Sequence, residues 1–332
     1  MAKRKRKTSH PVPTWFIGTL SAVVLLLGGL GYGARVGALP SLPSFEAQDL
    51  GYRLLDAIDT FLYGGPTTPP PSLPSQGEVK VSVIDVGQGE SILVTTSERS
   101  LLIDAGENDQ GDEVMDYLDQ MGLTHLDYVL ATHPHSDHIG GMDYVLGHIN
   151  VGEVLFGQVP EDLVPTTKTY LDVLDAIQQQ GIPLTIVSPG DVYDLGSGAQ
   201  LTILGPVAEY DDLNDCSVVC RLDFGETSFL FNGDMEADAE ADLLASGAYL
   251  NADVTSMGHH GSRTSSSEAY LDQVDPQYAF LSCGKGNKYK HPHEETLEKL
   301  DARQISYYRT DLVGNIIYTS DGQSIRVRTE KS

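Results

Sequence analysis

The residues with the clearest chemical potential are three histidines and an aspartate within six positions, His133, His135, Asp137 and His138. Imidazole nitrogens and carboxylate oxygens are ligands that zinc, manganese and iron accept in proteins. The cluster directly follows an apolar run. Alternation along an extended chain points His133 and His135 to the same side, and a turn then brings Asp137 and His138 round to a second position. The spacing therefore predicts a metal centre at the end of a strand.

Two later segments offer the ligands that a second ion would need. Asp234 ends the run Phe231-Asn232-Gly233, so its carboxylate is placed to bridge two ions; capping the helix that follows is the alternative role, and Asp234 could do both. His259 and His260 end another apolar run. Adjacent strand residues face opposite ways, so we expect one of the pair to bind metal and the other to face substrate. Two ions about 3.5–4 Å apart would suit hydrolysis of phosphodiesters, lactams, thioesters or amides.

These segments must be positioned by a fold with many strand ends. Strands are predicted at residues 79–86, 91–96, 101–104, 127–132, 184–187, 200–204, 217–224, 228–232, 253–257, 316–319 and 323–328. Helices are predicted at residues 114–121, 169–180, 237–246 and 294–301. Many strands with interspersed helices across about 250 residues predict a layered α/β fold.

The N-terminal region is predicted to place the protein in its compartment. Residues 1–13 form a basic tail, and residues 14–34 hold no charged side chain, which is the length and character of a transmembrane signal-anchor. The positive-inside rule then puts the tail in the cytoplasm and the rest outside the cell membrane. A cleaved signal peptide, which would make the protein secreted, is the alternative. Residues 35–77 are interpreted as a juxtamembrane helix and a Pro-rich linker, and residues 78–330 as the domain with the metal ligands.

Charge and cysteine content exclude two classes of protein. The chain has 21 Lys and Arg against 47 Asp and Glu, a net charge of −26. An acidic surface is a poor non-specific nucleic-acid binder, so any polyanion must be bound locally, through metal or through the basic loop Lys285, Lys288 and Lys290. Three cysteines cannot form a disulfide framework, and we expect all three to be unpaired.

The pattern His133-x-His135-x-Asp137-His138, followed by Asp234 and the His259-His260 pair, resembles the signature of metallo-β-lactamase-fold hydrolases. Further segments are similar to the C-terminal hydrolase domain of ComEC-type DNA-uptake competence proteins. These segments are Asp85-Val86-Gly87-Gln88-Gly89-Glu90-Ser91, Leu102-Ile103-Asp104-Ala105-Gly106, Asn214-Asp215-Cys216-Ser217, His259-His260-Gly261-Ser262 and Asn287-Lys288-Tyr289-Lys290-His291-Pro292.

The resemblance covers residues Glu78 to Arg328 and implies a four-layer αββα sandwich. It implies two divalent ions, zinc or manganese, at strand ends between the sheets, and nuclease or phosphodiesterase chemistry on nucleic acid or another phosphodiester. Phosphorylcholine esterases of bacterial surfaces share a similar His-His-Gly-Ser segment, so a small surface ester or a lactone is an alternative substrate. A non-catalytic binding domain is a third possibility. The sequence indicates no protein partner.

The resemblance also suggests roles for single residues. His133 and His135 are expected to hold one ion and Asp137, His138 and His260 the other, with Asp234 shared. His260 is preferred to His259 because a His-x-Ser pattern recurs at the last ligand of related nucleases. Asp104 is expected to orient a ligand histidine from behind, with a turn cap as its alternative role. The residues expected to act in catalysis are Asp137, His259 and His291. Those expected to contact substrate are Ser217, Ser262, Asn287 and Lys288.

One departure from the family pattern has a chemical consequence. Many members have another metal-binding histidine before the bridging aspartate, whereas no histidine lies between His148 and His259 here. Asn214 and Asp215 lie about where it would fall. We therefore expect weaker metal affinity at the His133 and His135 position, and the departure argues against a β-lactamase or a glyoxalase-type thioesterase.

Overall fold

Alternating and continuous apolar strands form two mixed β-sheets in the computed structural model, which describes residues 72–331. In chain order the strands are β1 (Val79–Val83), β2 (Ile92–Thr95), β3 (Ser100–Ile103), β4 (His125–Ala131), β5 (Asn150–Phe156), β6 (Leu184–Ile186), β7 (Val192–Asp194), β8 (Ala199–Gly205), β9 (Val219–Phe224), β10 (Thr227–Phe231), β11 (Val254–Ser256), β12 (Tyr278–Leu281), β13 (Ser306–Arg309), β14 (Ile316–Ser320) and β15 (Ile325–Thr329). One sheet has the order β15-β14-β1-β2-β3-β4-β5-β6, and the other β13-β12-β11-β10-β9-β8-β7.

The helices connect the parallel strands of both sheets. They are α1 (Gly111–Met121), α2 (Ser136–Ile139), α3 (Met142–His148), α4 (Lys168–Gln180), α5 (Ala237–Ser246), α6 (Gly258–Gly261), α7 (Glu268–Val274), α8 (Glu294–Arg303) and α9 (Thr310–Val313), with a short 3-10 helix at Glu161–Leu163. The four predicted helices are confirmed within a few residues. Each predicted strand is likewise confirmed, although most are one to three residues shorter or longer than predicted.

Three apolar interfaces divide the fold into four layers. The central one lies between the sheets and contains Val81 and Ile103 of the first sheet and Leu222 and Phe229 of the second. Helices α1, α3 and α4 cover the outer face of the first sheet. Helices α5, α7 and α8 cover the outer face of the second. The predicted αββα arrangement is therefore the one observed, because each sheet buries both of its faces.

Four strands were missed by the sequence patterns. They are β5, β7, β12 and β13. In β5, Gly152 and Glu153 break the apolar run. In β12, four residues form a parallel strand between two others, and its continuous apolar character has no period that distinguishes a short strand from a helix.

The same edge of both sheets carries the chemistry. Strands β3 and β4 pair in parallel, as do β10 and β11, so their carboxyl ends lie together. Each of these four strands is followed within three residues by a predicted site residue or segment. Asp104 follows β3, His133 lies two residues after β4, Asp234 follows β10, and the His259-His260 pair follows β11.

Residues 72–331 contain no helix with the length and apolar character needed to cross a bilayer. The predicted basic tail at residues 1–13, the span at residues 14–34 and the juxtamembrane helix lie outside the described residues. All three cysteines are buried and free. Cys216 lies before β9 rather than on the same strand as Cys220.

Candidate metal centre

The loop after β4 folds back on itself as its residue spacing predicts. His135 is extended and immediately precedes α2, whose first turn contains Asp137 and His138. The rings of His133 and His135 meet, with Nε2 of the first 3.0 Å from Nδ1 of the second. The turn directs His138 to the other side, where its Nε2 lies 3.1 Å from the Asp234 Oδ1.

Six of the predicted residues converge as two groups of possible ligands. One group contains Asp137, His138, Asp234 and His260, and the other contains His133, His135 and Asp234. In each group the ligand atoms lie within 4.8 Å of one another. Asp234 belongs to both groups and is 2% exposed, so its two carboxylate oxygens are available to both.

The hydrogen bonds behind the histidines fit a cation between them. His138 Nδ1 lies 2.7 Å from the Asp104 Oδ2, and His260 Nδ1 lies 2.9 Å from the Ser282 carbonyl. Both partners only accept, so each Nδ1 carries the proton and each neutral ring has its lone pair on Nε2. The two Nε2 atoms face each other at 3.3 Å. Two lone pairs at that separation repel unless a proton or a metal ion lies between them, so the donor set fits a divalent cation.

The pKa values of the buried groups follow from these contacts. Burial raises the pKa of Asp234, but the neighbouring His138 and His260 more than offset this and hold it well below its ordinary value. Burial and the nearby His138 lower the pKa of His133 well below its ordinary value. Burial also lowers the pKa of His138, but Asp234 and Asp104 reverse the effect and raise it. An ionised carboxylate and a neutral His133 are the protonation states that metal ligation requires.

Asp104 holds His138 in place through a fully buried network. Its Oδ1 accepts the Thr132 backbone N–H at 2.8 Å, and its Oδ2 accepts the Thr132 hydroxyl at 2.6 Å and the His138 Nδ1–H at 2.7 Å. The carboxylate therefore fixes both the tautomer and the orientation of the ring. Thr132 completes this network and carried no signal in the sequence patterns.

We expect Asp104→Asn to lower metal affinity by about 10- to 100-fold, because an amide offers only one accepting oxygen and turns one contact into a clash between donors. Asn tolerates the left-handed backbone of Asp104, so the fold is retained. Metal titration against a competing chelator measures the effect. The matched control is Asp127→Asn, which removes a carboxylate in β4 that accepts the Ser100 N–H at the start of β3. Equal metal affinity in the Asp104 variant and the wild type would contradict the prediction.

The His259-His260 pair turns where a strand was expected to continue. Both residues have left-handed backbone, with φ of 51° and 56°. Both rings consequently face the cluster. His260 Nε2 lies 3.3 Å from the Asp137 Oδ2, while His259 Nε2 lies 3.7 Å from the Asp234 Oδ2 and its Nδ1 donates to Glu236 at 2.7 Å. His260 thus lies among the possible ligands and His259 at the partly exposed rim.

The turn at Gly87 to Gly89 holds the metal loop from outside. The Asp137 carbonyl accepts the Glu90 N–H at 3.0 Å, and a Cβ at Gly89 would lie 2.3 Å from that carbonyl oxygen. A Cβ at Gly87 would meet nothing within 4 Å, although both glycines have positive φ. The turn therefore contributes a close backbone approach to the metal loop.

We expect Gly89→Ala to displace Asp137, to lower hydrolytic activity at least tenfold and to destabilise the fold by about 1–3 kcal/mol. Gly87→Ala is the matched control, because it carries only the strain of a left-handed residue, about 1–2 kcal/mol. Steady-state kinetics and urea unfolding of the two variants measure the difference. If both variants lose activity equally, backbone strain and not the contact with Asp137 is responsible.

Three residues predicted to contact substrate make hydrogen bonds within the protein. Ser217 is fully buried, where its hydroxyl lies 3.2 Å from His133 Nδ1 and accepts the Asp234 N–H at 3.0 Å. Ser262 is buried and bonds to Thr264. Asn287 donates to the Gly284 and His291 carbonyls and accepts the His291 N–H. These hydrogen bonds connect the three side chains to the site or its loop, and their contact with substrate stays a prediction.

His291 is buried beside the cluster, whereas Lys288 lies at the surface. The His291 ring lies 5.2 Å from the His259 ring and 6.2 Å from the His260 ring, between centroids. Its Nδ1 is buried and has no hydrogen-bond partner in residues 72–331. Burial, with the nearby His259 and His260, lowers the pKa of His291 to about 4, so the ring is neutral near pH 7. Lys288 is exposed, with its Nζ 4.8 Å from the centre of the Tyr289 ring.

Asn214 and Asp215 lie near the position where many family members have a further histidine, but neither belongs to the ligand group of His133 and His135. Asp215 accepts the Glu236 N–H at 2.9 Å and lies outside that group. The Asn214 amide lies 3.3 Å from the Glu236 carboxylate.

Glu90 was not singled out by the sequence patterns. It is 4% exposed beside Asp104 and His138, and burial raises its pKa to about 7. Its place after Gln88-Gly89 was the only available signal.

Comparisons with known proteins place the chain in a family. Residues 84–285 match the family described as the metallo-beta-lactamase superfamily. The chain is 32% identical over 267 residues to ComE operon protein 3 of Bacillus subtilis (strain 168), which covers 75% of this chain and 34% of that protein. It is 31% identical over 310 residues to Competence protein ComA of Neisseria gonorrhoeae, covering 92% and 38%.

The chain therefore spans a little over a third of the length of these curated relatives. Among solved structures, Igni18, described as a novel metallo hydrolase from Ignicoccus hospitalis KIN4/I, aligns with a TM-score of 0.49 at 13% identity. That alignment covers 72% of this chain and 98% of the other.

Proposed function

Because this chain belongs to the metallo-beta-lactamase superfamily, we propose that it is a metal-dependent phosphodiesterase or nuclease that acts on DNA outside the cytoplasmic membrane. The observation that carries the proposal is the pair of ligand groups that share Asp234. A shared carboxylate between two sets of imidazoles is the arrangement that a two-ion hydrolase needs.

In this proposal His133 and His135 hold one ion, Asp137, His138 and His260 hold the other, and Asp234 contacts both. Zinc and manganese suit the mixed nitrogen and oxygen donors. The ions, when bound, would polarise the phosphoryl group as Lewis acids and would lower the pKa of the attacking water. The first group offers only three of the possible ligands, so we expect it to bind its ion more weakly than the second group does.

The chain's own side chains orient the substrate at the rim of the cluster. Glu236 accepts the His259 Nδ1–H, so the His259 Nε2 carries a lone pair and can accept a proton or a hydrogen bond. His291 is neutral near pH 7, so its ring N–H donates a hydrogen bond to a phosphoryl oxygen, and the residue does not act as a general acid. Lys288 adds a positive charge at the open side. These groups would fix the phosphodiester relative to the cluster.

The DNA substrate and the location rest on the sequence. The relative from Neisseria gonorrhoeae is named a competence protein, and the segments quoted above are similar to those of ComEC-type domains. The predicted signal-anchor at residues 14–34 would place the catalytic domain outside the cell membrane, and cleavage of that segment would release it.

The test uses the full-length protein with single-stranded DNA and, separately, bis(p-nitrophenyl) phosphate, each with added Mn²⁺ or Zn²⁺. We include Asp137→Ala and the control Asp143→Ala, whose carboxylate lies outside the ligand groups. Cleavage of DNA that requires both metal and Asp137 supports the proposal. Cleavage of the small phosphodiester alone would point to a small phosphoester of the cell surface, and turnover of a lactone alone would remove phosphodiester chemistry. Binding of DNA without hydrolysis would indicate a non-catalytic domain.

A further inference from the structure

We propose that Tyr289, in the loop formed by residues 284–293, is a stacking platform for a base of single-stranded nucleic acid, and that it makes the enzyme select single strands over duplex. The inference rests on the proposed phosphodiesterase function and adds a ligand contact to it. Three observations carry it: the exposure of the ring, its alignment with rings that lead to the metal centre, and the charge of the loop.

Tyr289 is an exposed aromatic ring at the entrance of the site. The side chain is 46% exposed. Its ring stacks on His291 at 5.6 Å with an angle of 22° between planes, and the His291 ring is inclined by 28° to that of His260 at 6.2 Å. Only His291 therefore separates Tyr289 from a candidate metal ligand. A base on the Tyr289 ring would leave its adjoining phosphodiester at His291, beside the cluster.

The loop that presents the ring is held rigidly. The Asn287 amide bonds to three backbone groups of Gly284 and His291. Gly284 N–H donates to the Gln88 side chain at 3.2 Å, which ties the loop to the turn that supports Asp137. A ring held in advance loses little conformational freedom when a ligand stacks on it, so the contact contributes more to affinity.

The charge of the loop specifies the class of ligand. Residues 284–293 contain Lys285, Lys288 and Lys290 and no acidic residue, in a chain with a net charge of −26. All three lysines are exposed. Aromatic rings beside cations are the usual platform for single-stranded nucleic acid, because phosphates follow the positive charges while bases stack. A choline cation would also favour the aromatic face, but three lysines would repel it.

Selection against duplex follows from the geometry of stacking. Bases in a duplex already have both faces covered by neighbouring bases, so they offer no face to Tyr289. Lys288 Nζ lies over the Tyr289 ring in the free protein. Its ammonium can move to a phosphate when a strand binds, which uncovers the ring at the same step.

The experiment compares two oligomers of equal length and charge with the full-length protein: oligothymidylate, and the same sugar-phosphate chain without bases. We expect Tyr289→Ala to raise the KM for oligothymidylate about tenfold relative to the KM for the abasic chain. Tyr289→Phe, which keeps the ring, should restore the wild-type ratio. Tyr249→Ala is the matched control, because Tyr249 is 67% exposed and its ring contacts Arg221 away from the site.

If neither oligomer is hydrolysed, fluorescence anisotropy measures how tightly the protein binds each of them, so the contribution of the base contact can still be tested. In that case the proposed hydrolysis fails, while a tenfold weaker binding of oligothymidylate by Tyr289→Ala still supports the platform. An equal change for both oligomers, a phenylalanine variant that behaves as alanine does, or a wild type that binds duplex as tightly as single strands would each overturn the proposal.

Discussion

Asp234→Asn is expected to lower metal-dependent hydrolysis by about a thousandfold or more, the largest effect of any single substitution in the protein. Asp234 is the only residue present in both ligand groups. The substitution removes one negative charge from a pocket of four imidazoles and leaves one accepting oxygen where two are available. Both proposed ions lose a ligand and part of their charge compensation. Activity with saturating Mn²⁺ or Zn²⁺, followed over a metal titration, measures the loss.

The fold should survive this substitution. The Asp234 side chain has nearly the volume of asparagine, and its backbone N–H donates to the Ser217 hydroxyl whichever side chain is present. The matched control is Asp238→Asn on the exposed first turn of α5, four residues further along the chain. A single cooperative unfolding transition in both variants, with activity lost only in Asp234→Asn, is the expected pair of results. An Asp234→Asn enzyme within tenfold of wild type would exclude a shared carboxylate from the reaction.

Patterns that are local in the chain were enough to anticipate the frame of the site. The four ligands in the segment His133-x-His135-x-Asp137-His138 converge if the chain turns after the strand that precedes them. The first turn of α2 provides that change of direction. Asp104 could be anticipated for the same reason, because it ends an apolar run parallel to the one before His133. The pattern of strands and helices predicted a layered α/β fold, and the resemblance to metallo-β-lactamase-fold hydrolases specified the αββα order of the layers.

The features that were missed depend on contacts between distant segments. The left-handed backbone at His259 and His260 is rare for residues other than glycine, and it is held by the surrounding packing. The contact between the Ser217 hydroxyl and His133 joins two segments that are far apart in the chain. Glu90 is close to Asp104 only because the turn before β2 folds against the metal loop. No local pattern specifies such contacts.

Chelation is expected to lower the Tm of the domain by about 5–10 °C relative to protein held at a hundredfold excess of metal over its Kd. Without an ion, the two Nε2 atoms of His138 and His260 face each other at 3.3 Å beside the buried Asp234 Oδ1, so protons must hold this cluster together. A metal ion that binds only the folded state replaces those protons and adds its binding free energy to the free energy of unfolding.

The size of this Tm difference should increase with pH. In the metal-free protein, burial lowers the pKa values of His138 and His260, but Asp234 more than offsets it and raises both above the ordinary value. Protonation of these rings therefore stabilises the metal-free fold fully below the ordinary histidine pKa, and the contribution is lost as the pH rises through the raised pKa values. Metal affinity has the opposite pH dependence: it increases as the pH rises, because the ion must displace the protons from these rings.

Thermal unfolding with and without EDTA between about pH 5.5 and about pH 8 measures both dependences together. The metal-loaded protein should hold or gain Tm as the pH rises, while the chelated protein should lose it. Asp104→Asn supplies the control, because it weakens the preference of His138 for the tautomer that presents a lone pair at Nε2. It should narrow the Tm difference at every pH. A difference that stays constant across the range would mean that the ion does not compete with protons for these histidines, and His138 and His260 would then be structural residues and not its ligands.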